Sequence, residues 1–313
     1  MMKRLILIQA LLLSLICVNA QQDPLLSHAF FNKVHKNPAF AGLQGEICAN
    51  IINRQQWVGL EGAPQTTVLT INSPLNLFGI NSGVGISILD DRLGFETNFS
   101  GSIDYSYIHS LSVGTLSLGV KLGIFNKAFD GTWELPDGSN GGTDPIVPSE
   151  KDQGLSFDMS FGAVYTLDNF YVGISSMHLT QSKFNLQSGK ELPYLKRHYY
   201  LMTGYKLDLS SKPIEIYPNL LVKYDGASPQ FTINFNTVYN KKFWGGVTYR
   251  TTDALDINIG LELFNGIKIG YAYGLNLSKL INTNSGSHEI MLGYCFDFEI
   301  NRAPQKYRSV RFL

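Results

Sequence analysis

Three adjacent residues near the end of the chain, Ser287, His288 and Glu289, are the parts of a nucleophilic triad: a hydroxyl to attack, an imidazole to take its proton and an acid to orient the imidazole. Their adjacency argues against that chemistry. They open the stretch "SHEIMLGYCFDF", in which Ile290, Leu292, Tyr294, Phe296 and Phe298 alternate with Glu289, Met291, Gly293, Cys295 and Asp297. Neighbours in a strand point to opposite faces, so Ser287 and His288 cannot readily hydrogen-bond to one another. No G-x-S-x-G elbow is present either, and the expected role is loop anchoring, with no catalytic residue assigned. Asp90, Asp91 and Arg92, with Asp104, match no calcium loop. His28, His35, His109, His178 and His198 have no metal-ligand spacing, and no metal or cofactor is expected.

The elements that hold these residues are strands almost throughout. Phe99, Ile103, Tyr105 and Tyr107 alternate with Asn98, Ser102, Asp104 and Ser106, and the same period of two recurs along the chain. Charged residues are only 16% of the sequence, aromatics 12%, and there are 30 glycines, which favours an all-β protein. The approximate strands are 45–54, 65–73, 80–90, 96–109, 112–126, 154–166, 169–178, 194–209, 213–224, 230–239, 242–251, 255–264, 266–276 and 286–298. With few lapses, the odd-numbered connections are long and the even-numbered ones tight. A sandwich has no reason to sort its loops that way, whereas an outer-membrane barrel has short periplasmic turns and longer external loops. The expected fold is therefore an outer-membrane β-barrel of about 14 antiparallel strands in meander order, apolar face on lipid, polar face toward a wet or plugged lumen.

Lys3 and Arg4, an apolar run from Leu5 to Val18, and "VNA" before Gln21 read as a signal peptide over residues 1–20; the run is shorter than the ~20 residues a membrane helix needs. Ile16 sits where a lipidation signal at Cys17 would want a small residue. Without that leader the chain is slightly acidic, with no basic field for nucleic acid. Residues 21–44 are expected to be periplasmic or to fold into the barrel mouth as a plug, and 45–298 to form the barrel. The tail 299–313 carries Arg302, Lys306, Arg308 and Arg311, enough to meet an acidic periplasmic partner, although a solvated end fits equally.

In a closed barrel the first and last strands pair antiparallel. Cys48 and Cys295 then lie at similar heights on the inward face and become candidate neighbours at the seam, the alternative being two free thiols. Arg54, Gln55, Gln56 and Trp57, at the outer end of the first strand, are residue types favoured at binding hot spots. Trp57 would equally suit an interfacial girdle, and Arg54 an ion pair in the lumen.

Four blocks are more specific than a barrel requires: "QDPLLSHAFFNKVHKNPAFAG" (22–42), "NRQQWVGLEGAPQTTVLTINSPL" (53–75), "FWGGVTYRTTDAL" (243–255) and "GSHEIMLGYCF" (286–296). Together they resemble the PorP/SprF family of the type IX secretion system of Bacteroidetes. The resemblance implies a non-enzymatic barrel that works with secretion and gliding machinery. It would bind or anchor secreted, adhesin-like cargo bearing a C-terminal sorting domain. Expected partners are that cargo, type IX machinery subunits and outer-membrane lipid. Candidate contacts are Arg54, Gln55, Gln56, Trp57, Tyr249, Arg250, Ser287, His288 and Glu289, with Trp133 in the 127–153 loop, where recognition of an individual cargo is expected. The rival reading is a small-solute channel with a lumen of Ser, Asn and Gly; an outer-membrane lipid hydrolase is more distant.

Overall fold

The computed structural model describes residues 23–129, 152–186, 191–192, 195–209, 212–251, 253–263, 266–277 and 283–296. The segments 1–20 and 299–313, with Arg302, Lys306, Arg308 and Arg311, lie outside these residues, as does Trp133. The wall is a closed, 14-stranded antiparallel barrel. In chain order its strands are β1 Ile47–Gln55, β2 Gln65–Leu77, β3 Ile80–Leu93, β4 Glu96–Ser110, β5 Thr115–Phe129, β6 Asp152–Thr166, β7 Phe170–Met177, β8 His198–Tyr205, β9 Ile214–Tyr224, β10 Pro229–Tyr239, β11 Phe243–Arg250, β12 Ala254–Glu262, β13 Ile267–Asn276 and β14 Ser287–Phe296. Two short strands, Phe184–Leu186 and Glu191–Leu192, extend the wall beside β6 between β7 and β8.

Closure comes from β1, which pairs with β2 on one side and β14 on the other, leaving no open edge in hydrocarbon. The alternation is inside out relative to a soluble protein. Ile103, Leu155 and Ile259 stand on the outer face at 65%, 63% and 60% exposure, while Ser106, Ser117, Ser160 and Asn234 point inward and are buried.

The wall departs from the sequence reading at its turns. Strands β2 and β3 run on through "PLNLFG" to a two-residue turn at Phe78 and Gly79, both at positive φ (53° and 83°), as the twist of a tight hairpin demands. Pro74 is tolerated inside β2 because the β1–β2 ladder has ended at Asn72, so its missing N–H faces no partner strand. The expected strand 194–209 is broken at Lys206, whose N–H bonds to the carbonyl of Asn169; Leu207–Leu209 then resumes pairing with β9. Strands β3 and β4 meet across only Gly94 and Phe95, so one external connection expected to be long is tight.

The lumen contains the chain's own N-terminal segment. Residues 23–46 descend from the outer half, at Ser27 and His28 beside Glu289, to the periplasmic end, where the chain turns up into β1. Two 3-10 turns, Lys33–His35 and Pro38–Phe40, shape it; Asn37 caps the second by accepting from the Ala39 N–H at 3.0 Å, and Pro38 fills the first position, where no N–H is needed. Phe30, Val34 and Phe40 pack against Val164, Met177, Met202 and Leu221, and Leu26 and Ala29 against Ile52, Val68 and Met291. Burying each large apolar side chain contributes roughly 1.5–3 kcal/mol, so this plug is the core of the protein. Wall glycines make room for it: a methyl group on Gly83, Gly119 or Gly162 would overlap Ala41, Ala39 or Asn37. Wall hydroxyls satisfy its backbone, with Ser106 donating to the Ala41 carbonyl, Ser117 to Ala39 and Ser175 to Lys36, each at 2.7 Å.

Candidate functional site

At the outer half of the seam the four sequence blocks meet in one buried ionic cluster. Register places Arg54 of β1 opposite Glu289 of β14, and both point inward. Glu289 accepts the backbone N–H of Ser27 at 2.8 Å and of His28 at 2.7 Å, lies 2.7 Å from His28 Nδ1, and accepts from Arg54 Nη1 at 3.2 Å. Arg54 also donates to Ser27 Oγ at 2.6 Å, and Ser27 Oγ donates to Asp256. Arg250 completes the arrangement, 2.9 Å from Asp253 and 3.4 Å from Asp256. Two guanidiniums thus face three carboxylates around a plug serine and histidine. The cluster's work is positional: it ties residues 27 and 28 to strands β1, β12 and β14.

Above the cluster the same strands carry an external ledge. The Val58 N–H donates to the Gly286 carbonyl at 2.8 Å and the Ser285 N–H to the Val58 carbonyl at 2.7 Å, so the loops 56–64 and 283–286 are stitched together. Trp57, at φ 53°, donates its N–H to Ser287 Oγ at 3.3 Å, and the Gly94 N–H reaches the Gly62 carbonyl at 2.8 Å. Gln55, Gln56, Val58, Leu60, Pro64 and Arg92 help to line an open groove of about 340 Å³ beside this ledge.

The expected contact residues therefore divide. Arg54, Arg250, Ser287 and Glu289 are turned inward and buried, a correction to their place among external contacts: alternation puts them on the lumen face, where Arg54 takes the ion-pair role. Tyr249 is on the outward face, half exposed. His288 is also on that face, sharing a 2.7 Å hydrogen bond with the Tyr271 hydroxyl and packing on Tyr273, an aromatic group at the outer interface. Gln55, Gln56 and Trp57 remain accessible on the ledge. Ser287 and His288 diverge, and Glu289 bonds to His28 instead, so the three adjacent residues do not assemble as a triad.

Other pairs fall as follows. Cys48 and Cys295 are register partners, Cα atoms 4.1 Å apart, joined by a disulfide below the ionic cluster. Asp90 pairs with Arg92 and Asp91 accepts from Thr66, while Asp104 faces the lumen beside Lys121. His178 and His198, read as unrelated by spacing, are brought together with Asp23 because β7 and β8 are antiparallel neighbours. Sequence reasoning missed Ser27, His28, Asp253 and Asp256. The available signal was the N-terminal block itself, whose Leu26, Phe30, Phe31, Val34 and Phe40 are too apolar for a solvated segment.

Solved structures share this architecture at low identity. The CymD monoaromatic hydrocarbon channel matches with a TM-score of 0.50 at 13% identity, over 86% of this chain and 93% of that one. The toluene transporter TodX of Pseudomonas putida matches at 0.47 and 11% identity, over 88% and 95%. The outer membrane protein Omp33 of Acinetobacter baumannii matches at 0.47 and 8%, over 81% and 99%. These likenesses concern the fold alone. A search among curated proteins returns no significant match. Residues 18–294, which include the first three blocks and all but the last two residues of the fourth, match the family described as type IX secretion system membrane protein PorP/SprF, and the chain belongs to that family.

Proposed function

We propose that this barrel is a non-conducting outer-membrane scaffold of the type IX secretion system, which retains a secreted, sorting-domain-bearing cargo at the cell surface through its external ledge. The observation that carries the reading is the plug. A lumen packed with residues 23–46, and anchored by buried charges from every sequence block, is suited to rigidity rather than to solute passage. Rigid strands then present the loops 56–64 and 283–286 at a fixed geometry, as recognition surfaces on barrels require. The plug weighs against the small-solute channel. Attachment to machinery subunits on the periplasmic side, and a role in gliding, follow from family membership as part of the same proposal.

The test is affinity capture. A tag placed in the 127–153 loop, mild extraction from native outer membranes and mass spectrometry should recover a large secreted protein or type IX subunits. Substituting Gln55, Gln56 and Trp57 together should abolish that recovery while leaving the barrel folded. Recovery of the barrel alone, even after cross-linking, would overturn the proposal.

A further inference from the structure

In the outer half of the lumen, away from the seam, the plug meets the wall at a second polar cluster. Asp23, at the start of the described chain, lies against His178, just past the end of β7, and His198, at the start of β8. Asp23 Oδ1 is 3.0 Å from His178 Nε2 and 4.0 Å from His198 Nδ1, and one ligand atom from each residue falls within 4.8 Å of the others. Around a tetrahedral zinc, bonds of about 2.0–2.1 Å set neighbouring ligand atoms about 3.3 Å apart. Changes of about 1.5 Å or less in these separations would bring the three to that spacing.

Three further observations point to a ligand. First, His198 is 1% exposed, and neither of its ring nitrogens has a hydrogen-bond partner among the described residues. A buried imidazole with two orphan nitrogens is costly unless something binds it. Second, His178 Nδ1 is 2.9 Å from Asp158 Oδ2, so its Nε2 is the nitrogen aimed at Asp23. A carboxylate holding the far nitrogen of an imidazole is the usual support of a metal-binding histidine. Third, the Tyr200 hydroxyl donates to Asp23 Oδ2 at 2.7 Å, which orients the carboxylate and leaves Oδ1 toward the histidines. A cavity of about 50 Å³ adjoins Asp23, Asp158 and His178, room enough for a water as fourth ligand. Lys36 opposes a cation here; its Nζ sits 3.6 Å from Asp23 Oδ2, the oxygen that the Tyr200 hydroxyl also holds, and Lys223 donates to the Asp23 carbonyl at 3.1 Å.

We propose that Asp23, His178 and His198 bind a divalent transition-metal ion of the zinc class, with Asp158 and Tyr200 as supporting residues. The ion would cross-link the leading end of the plug to β7 and β8, a second fastening opposite the seam cluster. The proposal is independent of what the external ledge binds.

The test uses the full chain, purified from outer membranes in detergent, stripped with a chelator and titrated with Co²⁺ and then Zn²⁺. One Co²⁺ per chain is expected, with the visible bands of a four-coordinate nitrogen and oxygen site, displaced by Zn²⁺. His198→Ala should remove the bands, His109→Ala should keep them, and Asp158→Asn should weaken affinity about 10- to 100-fold. Should His198→Ala fail to fold, Cu²⁺ electron paramagnetic resonance on the wild-type chain decides, because two imidazole nitrogens must appear in its superhyperfine pattern. No stoichiometric uptake by wild type, equal uptake by folded His198→Ala, or a Cu²⁺ spectrum without two nitrogens would overturn the proposal.

Discussion

Arg54 and Glu289 face each other across the seam where the first and last strands close the barrel, guanidinium to carboxylate at 3.2 Å, both buried. The same two side chains hold Ser27 and His28 of the plug. Barrel closure and plug docking are therefore one event, and a chain that pairs its ends in the wrong register cannot seat its N-terminal segment.

Glu289→Ala should damage both at once. Removing Glu289 takes from His28 its carboxylate and leaves Arg54 only Ser27 and the more distant Asp256 in a dry site, and breaking a buried pair of this kind costs about 3–5 kcal/mol. The folded band on unheated gels should convert at a markedly lower temperature, and trypsin should gain access to Lys33 and Lys36. An unchanged conversion temperature would show that the cluster does not fasten the plug.

The glycine seats make a sharper contrast. Gly119→Val places bulk against the backbone at Pro38 and Ala39, and overpacking costs about 1–3 kcal/mol, while Gly101→Ala enters open space. Proteolysis of the plug should increase for the first and stay at the wild-type rate for the second. Equal behaviour of the two would mean that the segment is not seated where it is described.

Cys48 and Cys295 close a loop spanning 247 positions, for which a chain-entropy treatment gives roughly 5 kcal/mol of stabilisation. Protein freed of residues 1–20, and so of Cys17, should take up no thiol label when denatured without reduction, and prior reduction should release two thiols and lower the conversion temperature. Labelling without reduction would contradict the bond. The bond also presupposes an oxidising compartment, as an outer-membrane location provides.

On the ledge, Trp57→Ala should lower capture of the secreted partner at least tenfold, the scale of an interface hot spot, without shifting the conversion temperature. Full capture by a folded variant would move the contact surface elsewhere on the external face.

The wall was legible because lipid and lumen impose a period of two on every strand, so Ile103 against Asp104, or Ile290 against Glu289, declares a face. The seam neighbours were legible for the same reason: closure fixes which ends pair, and counting from the turns brings Cys48 to Cys295. The plug's anchoring was not. Residues 23–46 have no regular period, and their partners are wall side chains up to 262 positions away, as in the bond between Ser27 and Glu289. Arg54, Arg250 and Glu289 stood among the candidate contacts, Arg54 for a residue type favoured at binding hot spots and equally as an ion pair in the lumen. What decided otherwise was parity: each falls on the lumen side. The pairing of His178 with His198 was hidden by a long connection between two strands that are neighbours only once β7 and β8 are antiparallel.

A barrel closed by its own N-terminal segment should carry no solute and should serve only what binds outside it. Single-channel recording of the purified full-length protein in planar bilayers tests this most directly. A plugged lumen should give no sustained conductance steps across the ordinary range of applied voltage. Steady ohmic conductance from the wild-type chain would contradict it and favour a channel.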